Sequence, residues 1–189
     1  MNGFKTFNWF NKNTVNKFRG FTIHYNDSHD ISAIIKTFIF DVYQSKKINR
    51  GDTVVDLGAG IGEFAMTASR SVGPQGKVIA IEPSPNDFET LLLNLRENKC
   101  DNVVPMNVAV SSKPGIIKLS FKGKNFESKS DSLYNILSGI KVNIDSIKFM
   151  KIDIEGAERY AIPESLEIIK KLIFLLWKYM MGIRLNLFL

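Results

Sequence analysis

Apolar runs of strand length alternate with stretches of helical periodicity along most of this chain. The predicted core strands, rich in valine and isoleucine, cover residues 53–55, 77–81, 103–109, 147–152 and 172–176. The predicted helices, with apolar side chains on one face, cover residues 30–43, 63–70, 84–98 and a segment that starts at 156. Strands that alternate with helices in this way favour a doubly wound, mostly parallel α/β sheet.

Some segments depart from this alternation. Residues 116–121 alternate apolar and polar side chains, which predicts an additional hairpin-type strand. The polar residues 122–131 predict a mobile loop, and residues 133–137 predict a short helix. Pro105 cannot donate a backbone hydrogen bond, so the third strand should begin near it or lie at a sheet edge.

The first 26 residues contain no acidic side chain, and their basic residues alternate with aromatic ones. Because large aromatic side chains usually pack, we expect this segment to lie against an edge of the domain. Two alternatives stay open, a cover over the active site and a peripheral contact with a membrane surface. We therefore divide the chain into an aromatic and basic N-terminal segment with a helix, residues 1–45, and an α/β domain, residues 46–189.

Composition excludes several classes of protein. The formal net charge of +6 is a mild excess that does not by itself indicate a nucleic-acid partner. A single cysteine, Cys100, excludes an intrachain disulfide, and with only two histidines a zinc cluster is not expected. We therefore expect no metal, no nucleic acid and a reducing, cytoplasmic setting. We find neither a signal peptide nor an apolar run long enough to span a bilayer.

The most informative pattern is a glycine-rich turn between the first core strand and its helix. Asp56 ends the strand, glycines occupy positions 58, 60 and 62, and Glu82 ends the next strand 22 residues after Gly60. Glycines let a ligand approach the backbone closely, and the following helix offers N–H groups with a partial positive charge. Together these elements describe half of a nucleoside-binding α/β fold.

Two carboxylates distinguish between the nucleosides that such a turn can bind. Asp56 would repel a pyrophosphate and attract an ammonium group, and Glu82 can accept hydrogen bonds from both ribose hydroxyls. The glycine spacing G-x-G-x-G also differs from the dinucleotide pattern G-x-G-x-x-G. S-adenosyl-L-methionine carries an ammonium and a sulfonium but no phosphate. The residues therefore favour this cofactor over NAD, and an NAD-linked oxidoreductase is the weaker alternative.

A second group of acids follows the fourth core strand. Asp153, Glu155 and Glu158 lie within six residues of one another. Because ligands bind outside the carboxyl ends of parallel strands, Asp153 is expected at the same sheet edge as Asp56 and Glu82. The alternative for the two glutamates is that they are first-turn helix acids, stabilised by the helix dipole.

Three blocks of the chain resemble the hallmark motifs of FkbM-type methyltransferases. They are residues 54–62, 78–85 and 151–158, and residues 107–110 are similar to a weaker middle block of that family. The resemblance covers roughly residues 40–175. It implies a Rossmann-like, class I methyltransferase that uses S-adenosyl-L-methionine and methylates a hydroxyl of a small molecule or saccharide.

The resemblance also implies roles for single residues. Glu82 would hold the ribose, Asn107 and Ala109 would lie beside the adenine, and Asp153 and Glu155 would face the transferred methyl group and the acceptor. The whole cofactor-binding set that it implies is Asp56, Gly58, Ala59, Gly60, Gly62, Glu82, Pro83, Asn107 and Ala109.

Methylation of a hydroxyl requires a base, and two candidates remain. Asp153 is the first choice and Glu155 the second. A divalent metal held by Asp153 and its neighbouring acids is an alternative way to bind the acceptor oxygens.

The end of the chain differs from the family pattern. Members usually continue after the fifth strand with an acidic, histidine-bearing stretch and further antiparallel strands, whereas residues 177–189 are apolar and basic. We therefore expect C-terminal strands of the sheet to be missing and the apolar segment to form a homodimer contact. An adenosyl-binding or membrane-peripheral protein without turnover is the corresponding alternative.

Overall fold

The computed structural model describes residues 13–154 and 175–177, and every structural statement below refers to them. The strands are β1 (Asn13–Phe18), β2 (Phe21–Tyr25), β3 (Thr53–Leu57), β4 (Lys77–Ile81), β5 (Val103–Met106), β6 (Ala109–Val110), β7 (Gly115–Phe121), β8 (Lys124–Asp131), β9 (Ile147–Ile152) and β10 (Leu175–Trp177). The α-helices are α1 (Ser28–Phe38), α2 (Glu63–Val72), α3 (Pro85–Glu97) and α4 (Leu133–Gly139).

A five-stranded parallel sheet forms the centre of the fold. Its order is β10-β9-β3-β4-β5, and each neighbouring pair runs parallel. The chain moves outwards from β3 through β4 to β5 and then returns to β9 on the other side of β3. The strand order therefore reverses between β3 and β9, where open α/β sheets bind ligands. The predicted doubly wound, mostly parallel α/β sheet is confirmed.

Apolar side chains cover both faces of this sheet. Val54 and Val55 are neighbours in β3 and both completely buried, but they belong to different core clusters because strand side chains alternate between faces. Phe64 of α2 lies in the cluster on one face, and Leu137 of α4 lies in the cluster on the other. The sheet is therefore the middle of three layers.

Two asparagine side chains, one in α3 and one directly after it, hold the N-terminal hairpin of β1 and β2. Asn94 accepts a hydrogen bond from the His24 N–H at 2.7 Å and donates to the His24 carbonyl at 3.0 Å. Asn98 makes the same pair of bonds with Thr22, at 2.9 and 2.7 Å. The two asparagines lie one helical turn apart, so they pair with the edge of β2 as a neighbouring strand would.

Aromatic packing attaches the same hairpin to α2. The Arg70 guanidinium lies 3.6 Å above the centre of the Phe21 ring, and it donates hydrogen bonds to the carbonyls of Arg19 and Gly20. Phe21 is buried in the core cluster that contains Phe64. Phe18 and Tyr25 pack against the same cluster, so the expected packing of the N-terminal segment against the domain is confirmed for residues 18–25. Residues 1–12 lie outside the described part of the chain.

The structure corrects two predictions between the third and fourth core strands. Residues 122–131, expected as a mobile loop, form the turn and strand β8 of an antiparallel hairpin with β7. Their polar character was misleading, because β7 and β8 belong to a small separate sheet that is partly solvated. Residues 103–109 are two strands rather than one, since β5 ends at Met106 and β6 pairs with β8.

Other predictions differ mainly at the ends of elements. Pro105 lies in β5, an edge strand of the main sheet, as expected. Helix α1 ends at Phe38 instead of 43, and Asp27 caps its start by accepting hydrogen bonds from two backbone N–H groups. The helix predicted from residue 156 lies outside the described residues, and the fifth core strand is described only as β10.

Gly58 brings the turn after β3 against the end of β9. Its φ is +74°, and an added Cβ would lie 1.9 Å from the carbonyl oxygen of Asp153. The Asp153 N–H donates to the Leu57 carbonyl at 3.0 Å, so the two chain segments cannot separate without losing this bond. The functional edge of the sheet thus depends on the absence of a side chain at position 58.

We expect Gly58→Ala to lower the free energy of unfolding by more than about 3 kcal/mol, because the new methyl group overlaps the backbone. Gly51→Ala is the matched control, since Gly51 has a φ of +86° but no atom within 4 Å of an added Cβ. The control should lose only about 1 kcal/mol, the conformational cost alone. Urea denaturation measures both variants, and equal losses would contradict the close approach.

Candidate functional site

A pocket opens at the carboxyl ends of the parallel strands. The turn after β3, the tip of β4 and the exit of β9 form one side, and α1 and the β7–β8 hairpin form the other. Its interior of about 180 Å³ is more than ten times the roughly 10–15 Å³ that one water molecule needs. The pocket is therefore suited to a small-molecule ligand.

Most of the residues that the sequence assigned to a site lie around this pocket. Those of the predicted cofactor set that line it are Gly58, Gly60, Glu82, Pro83 and Ala109. Asp153, the first candidate base, also lines it. Glu155, the second candidate, lies outside the described residues.

The rest of the predicted cofactor set supports the pocket without lining it. These residues are Asp56, Ala59, Gly62 and Asn107. A Cβ on Gly62 would lie 2.4 Å from Leu91 Cδ1, so this glycine lets α3 pack against the turn. Asn107 is exposed and donates hydrogen bonds to the carbonyls of Glu82 and Pro83, at 2.8 and 3.2 Å. It thereby holds the chain that leaves β4, and its position beside the adenine stays a prediction.

Asp56 forms a buried ion pair with Lys151. The two residues lie opposite each other in the paired strands β3 and β9. Both are buried, with exposed fractions of 0% for Asp56 and 1% for Lys151. Lys151 Nζ lies 2.8 Å from Asp56 Oδ1. Lys151 also donates to the Gly58 carbonyl at 2.7 Å, which fixes the turn. The sequence interpretation placed Asp56 beside a ligand ammonium group, whereas in the structure its charge is balanced by this lysine.

The charges around Lys151 do not cancel. Burial alone would lower the pKa of Lys151, but the carboxyl groups of Asp56, Asp153 and Glu63 raise it overall, so the lysine stays protonated. One ammonium group therefore faces three carboxyl groups at the end of the pocket nearest β9. This acidic surplus favours a cationic ligand group over an anionic one.

Glu63 was not found by sequence reasoning. It is the first residue of α2, lines the pocket and is only 4% exposed. Its Oε2 atom has no hydrogen-bond partner among the described residues, and burial raises the pKa of its carboxyl to about 7. An acid in a first helical turn is ordinarily a solvated partner of the helix dipole, so the sequence carries no signal that this one is buried.

Tyr43 is a second residue that the sequence did not assign to the site. Its hydroxyl donates a hydrogen bond of 2.6 Å to Asp153 Oδ2, and its ring contacts Phe64 edge-on in the core. Burial, and then the nearby Asp153 carboxylate, raises the pKa of the Tyr43 phenol, so it remains a donor. Tyr43 and Asp153 are 110 residues apart, which is why only the fold reveals the contact.

Glu82 forms the opposite end of the pocket from the β9 acids. Its two carboxylate oxygens accept hydrogen bonds from the N–H groups of Gly60 and Ser84, both at 2.8 Å. Burial raises the pKa of Glu82 to about 7, against the effect of these two donors. A carboxylate has about four acceptor positions, so two remain for hydroxyl groups of a ligand.

The pocket fits an adenosyl amino acid by the chemistry of its groups. Glu82 offers acceptors for a ribose, and Ile81, Val108 and Ala109 give the adjoining wall an apolar surface that suits a flat base. The partnerless Oε2 of Glu63 offers an acceptor for a cationic group.

Lys122 ties the hairpin over the pocket. It lies in the turn between β7 and β8, and its ammonium pairs with Asp30 of α1, with Asp87 of α3 at 3.4 Å and with Asp27 at 3.6 Å. The hairpin that had been expected as a mobile loop is therefore fixed at its tip to two helices. This connection holds the hairpin against α1, and residues of both elements line the pocket.

The described residues offer neither a metal site nor a membrane-spanning helix. Within residues 13–154 and 175–177, no group of three or more histidine, cysteine, aspartate or glutamate side chains is placed to hold a metal ion. None of the helices in this part of the chain combines the length and apolarity needed to cross a membrane.

Comparison with known families identifies a methyltransferase signature in the cofactor half of the chain. Residues 42–114 match the family described as the TRM5/TYW2 methyltransferase domain. Demethylmenaquinone methyltransferase of Lactococcus lactis subsp. lactis (strain IL1403) is 32% identical over 83 residues, which are 41% of this chain and 33% of that protein. The match thus spans a third of the length of this curated relative.

Solved structures of similar fold include methyltransferases. Aeropyrum pernix fibrillarin in complex with natively bound S-adenosyl-L-methionine is 18% identical with a TM-score of 0.44, covering 79% of this chain and 52% of that one. The protein in the complex of aTrm5 and tRNALeu is 15% identical with a TM-score of 0.49, and the match covers 86% of this chain and 37% of that one. Residues 42–114 thus match a methyltransferase domain, as the sequence motifs predict, and the predicted cofactor S-adenosyl-L-methionine is confirmed.

Two expectations change with these comparisons. The prediction that excluded a nucleic-acid partner is wrong, because residues 42–114 match the TRM5/TYW2 methyltransferase domain. The family that matches residues 42–114 is also not the FkbM family that the sequence motifs resemble. A mild net charge therefore did not justify setting nucleic acid aside.

We expect Lys151→Met to lower the free energy of unfolding by about 3–5 kcal/mol at pH 7, because it leaves the Asp56 carboxylate buried without a counter-charge. The double variant Lys151→Met/Asp56→Leu should recover most of this loss. In the single variant the loss should shrink as the pH falls from 7 to 5, because protonation neutralises Asp56. Denaturant titrations at several pH values measure these differences, and a double variant as unstable as the single one would contradict the ion pair.

Glu63 should make stability depend on pH. Its folded-state pKa of about 7 lies about 2.5 units above its ordinary value of 4.5, so its ionisation costs about 3 kcal/mol. The stabilisation by the protonated carboxyl is fully present below pH 4.5 and is lost as the pH rises through 7, where the cost of ionisation takes effect. Glu63→Gln should therefore flatten the profile of unfolding free energy between pH 5 and 8.

The matched control for this profile is Glu89→Gln, which changes an exposed carboxyl on α3. The control should keep the slope of the unmodified chain. An unchanged slope in Glu63→Gln as well would show that this carboxyl is ionised in the folded chain at all these pH values.

Proposed function

We propose that this chain is an S-adenosyl-L-methionine-dependent methyltransferase that methylates a hydroxyl group of a small molecule or saccharide. The observation that carries the proposal is the position of Asp153, whose carboxyl group lines the pocket at the exit of β9 and is oriented by the Tyr43 hydroxyl. A carboxylate in this position is suited to accept a proton from a bound alcohol.

The cofactor would lie along the tips of β4, β3 and β9. Glu82 would accept the ribose hydroxyls, and Ile81 and Ala109 would contact the adenine. The amino-acid part would lie over Gly60, close to the acids around Lys151. This placement sends the cationic part of the ligand to the acidic end of the pocket.

Methyl transfer needs alignment more than covalent help from the protein. When bound, S-adenosyl-L-methionine supplies a methyl group on a positively charged sulfur. Asp153 would take the proton of the acceptor hydroxyl, and Tyr43 would keep the Asp153 carboxyl in one orientation. The β7–β8 hairpin, held by Lys122, would exclude water from the same space.

The acceptor side of the pocket is built from residues outside the matched family domain. That match ends at residue 114, whereas β7, β8 and Asp153 follow it. The hydroxyl acceptor is supported by the FkbM-like motif at residues 151–158. A nucleotide of tRNA is the second candidate acceptor, and the TRM5/TYW2 match over the cofactor half is the observation that favours it.

Two measurements on the full chain test this function. Calorimetry should detect binding of S-adenosyl-L-methionine and S-adenosylhomocysteine but not of NADH. Transfer of a labelled methyl group should then be assayed against a panel of alcohols and saccharides and, separately, against tRNA transcripts. If tRNA is the only substrate that becomes labelled, the acceptor is a tRNA nucleotide and not a small molecule. If the chain binds NADH and neither adenosyl ligand, both proposed methyltransferase functions are contradicted. Cofactor binding with no transfer to either panel would favour an adenosyl-binding protein without turnover.

We expect Asp153→Asn to lower kcat by about 100-fold or more, since general bases contribute about 10²–10⁴-fold. The asparagine oxygen can still accept the Tyr43 hydrogen bond, so the affinity for S-adenosylhomocysteine should change little. Undiminished kcat in this variant would remove Asp153 from the reaction.

A further inference from the structure

We infer that Glu63, and not Asp56, is the residue that binds the ammonium group of the cofactor's amino-acid part, which makes Glu63 a specificity determinant for ligands that carry this group. The inference rests on the function proposed above. Among the described residues, Asp56, Glu63 and Asp87 each bury a carboxyl oxygen that has no hydrogen-bond partner. Asp56 is paired with Lys151 through its other oxygen, and Asp87 is paired with Lys122 in the same way. The inference therefore depends on which of these three carboxyl groups lines the pocket without a paired lysine.

Asp56 does not meet this requirement. It is completely buried below the turn, it does not line the pocket, and the Lys151 ammonium neutralises it at 2.8 Å. A ligand ammonium group would have to reach it through the turn that Lys151 itself fixes by its bond to the Gly58 carbonyl. Asp56 therefore acts on the ligand only through Lys151.

Glu63 does meet it. Its side chain lines the pocket, is 96% shielded from solvent and carries an Oε2 atom without a hydrogen-bond partner in the described chain. A buried carboxyl oxygen without a partner is costly, so the folded chain holds an acceptor that a ligand donor would satisfy.

The position of Glu63 along the pocket also agrees with this role. Oε2 lies 3.9 Å from the place where a Cβ of Gly60 would be, and the Gly60 N–H donates to Glu82 on the other side. Gly60 thus lies between the two glutamates. A ligand whose ribose is held by Glu82 would extend over Gly60 and bring its far end to Glu63.

The charged groups around Glu63 decide how it titrates. Asp56 of β3, Lys151 of β9 and Asp153 after β9 act on its carboxyl, and the Tyr43 hydroxyl faces the same group of acids. Lys151 remains charged and Tyr43 remains protonated, because both pKa values are raised. With a pKa of about 7, Glu63 is only partly ionised at neutral pH, and an ammonium ligand would favour its ionised form.

The test compares two ligands on three proteins by calorimetry. The ligands are S-adenosylhomocysteine and its deamino analogue, in which hydrogen replaces the amino group. The proteins are the unmodified chain, Glu63→Gln and the exposed control Glu89→Gln. We expect Glu63→Gln to lower the affinity for S-adenosylhomocysteine by about tenfold or more and to change the affinity for the deamino analogue hardly at all. The control should bind both ligands as the unmodified chain does.

A second measurement needs no variant. In the unmodified chain, the preference for S-adenosylhomocysteine over the deamino analogue should rise by up to about tenfold between pH 6 and pH 8, as Glu63 ionises. A preference that is independent of pH, or a Glu63→Gln variant that weakens both ligands by the same factor, would overturn the assignment of Glu63. Failure of the unmodified chain to bind S-adenosylhomocysteine would instead contradict the proposed function.

Discussion

The buried ion pair between Asp56 and Lys151 is the interaction on which the functional edge of this sheet depends. It joins β3 to β9 where the strand order reverses, and Lys151 extends it to the turn by its bond to the Gly58 carbonyl. A buried pair of this kind contributes little net stability, but its two partners require each other. It thereby fixes the register of the two strands whose ends carry the site.

The same pair determines the electrostatic character of the pocket. If Asp56 were alone, it would be the natural partner of a ligand ammonium group, which is how the sequence was interpreted. With Lys151 in place, the negative charge open to a ligand shifts to Glu63 at the start of α2. The proposed preference for a cationic adenosyl ligand therefore depends on Glu63 and not on Asp56.

The sequence predicted the main sheet well because each core strand is a short apolar run with its own turn signals. It predicted Gly58, Gly60, Glu82 and Asp153 at the pocket because parallel strands end at one edge. It failed at Glu63, Tyr43 and Lys122, since their roles arise from contacts between distant segments. The polar strand β8 was missed because it lies outside the main core and has no apolar pattern.

A structure of the chain in complex with S-adenosylhomocysteine tests the central claim most directly, because it locates both ends of the ligand. The account predicts the ribose hydroxyls on Glu82 and the ammonium group within hydrogen-bond distance of Glu63 Oε2, with the Asp56–Lys151 pair intact. A ligand bound away from Glu82, or an ammonium group that displaces Lys151 from Asp56, would contradict it.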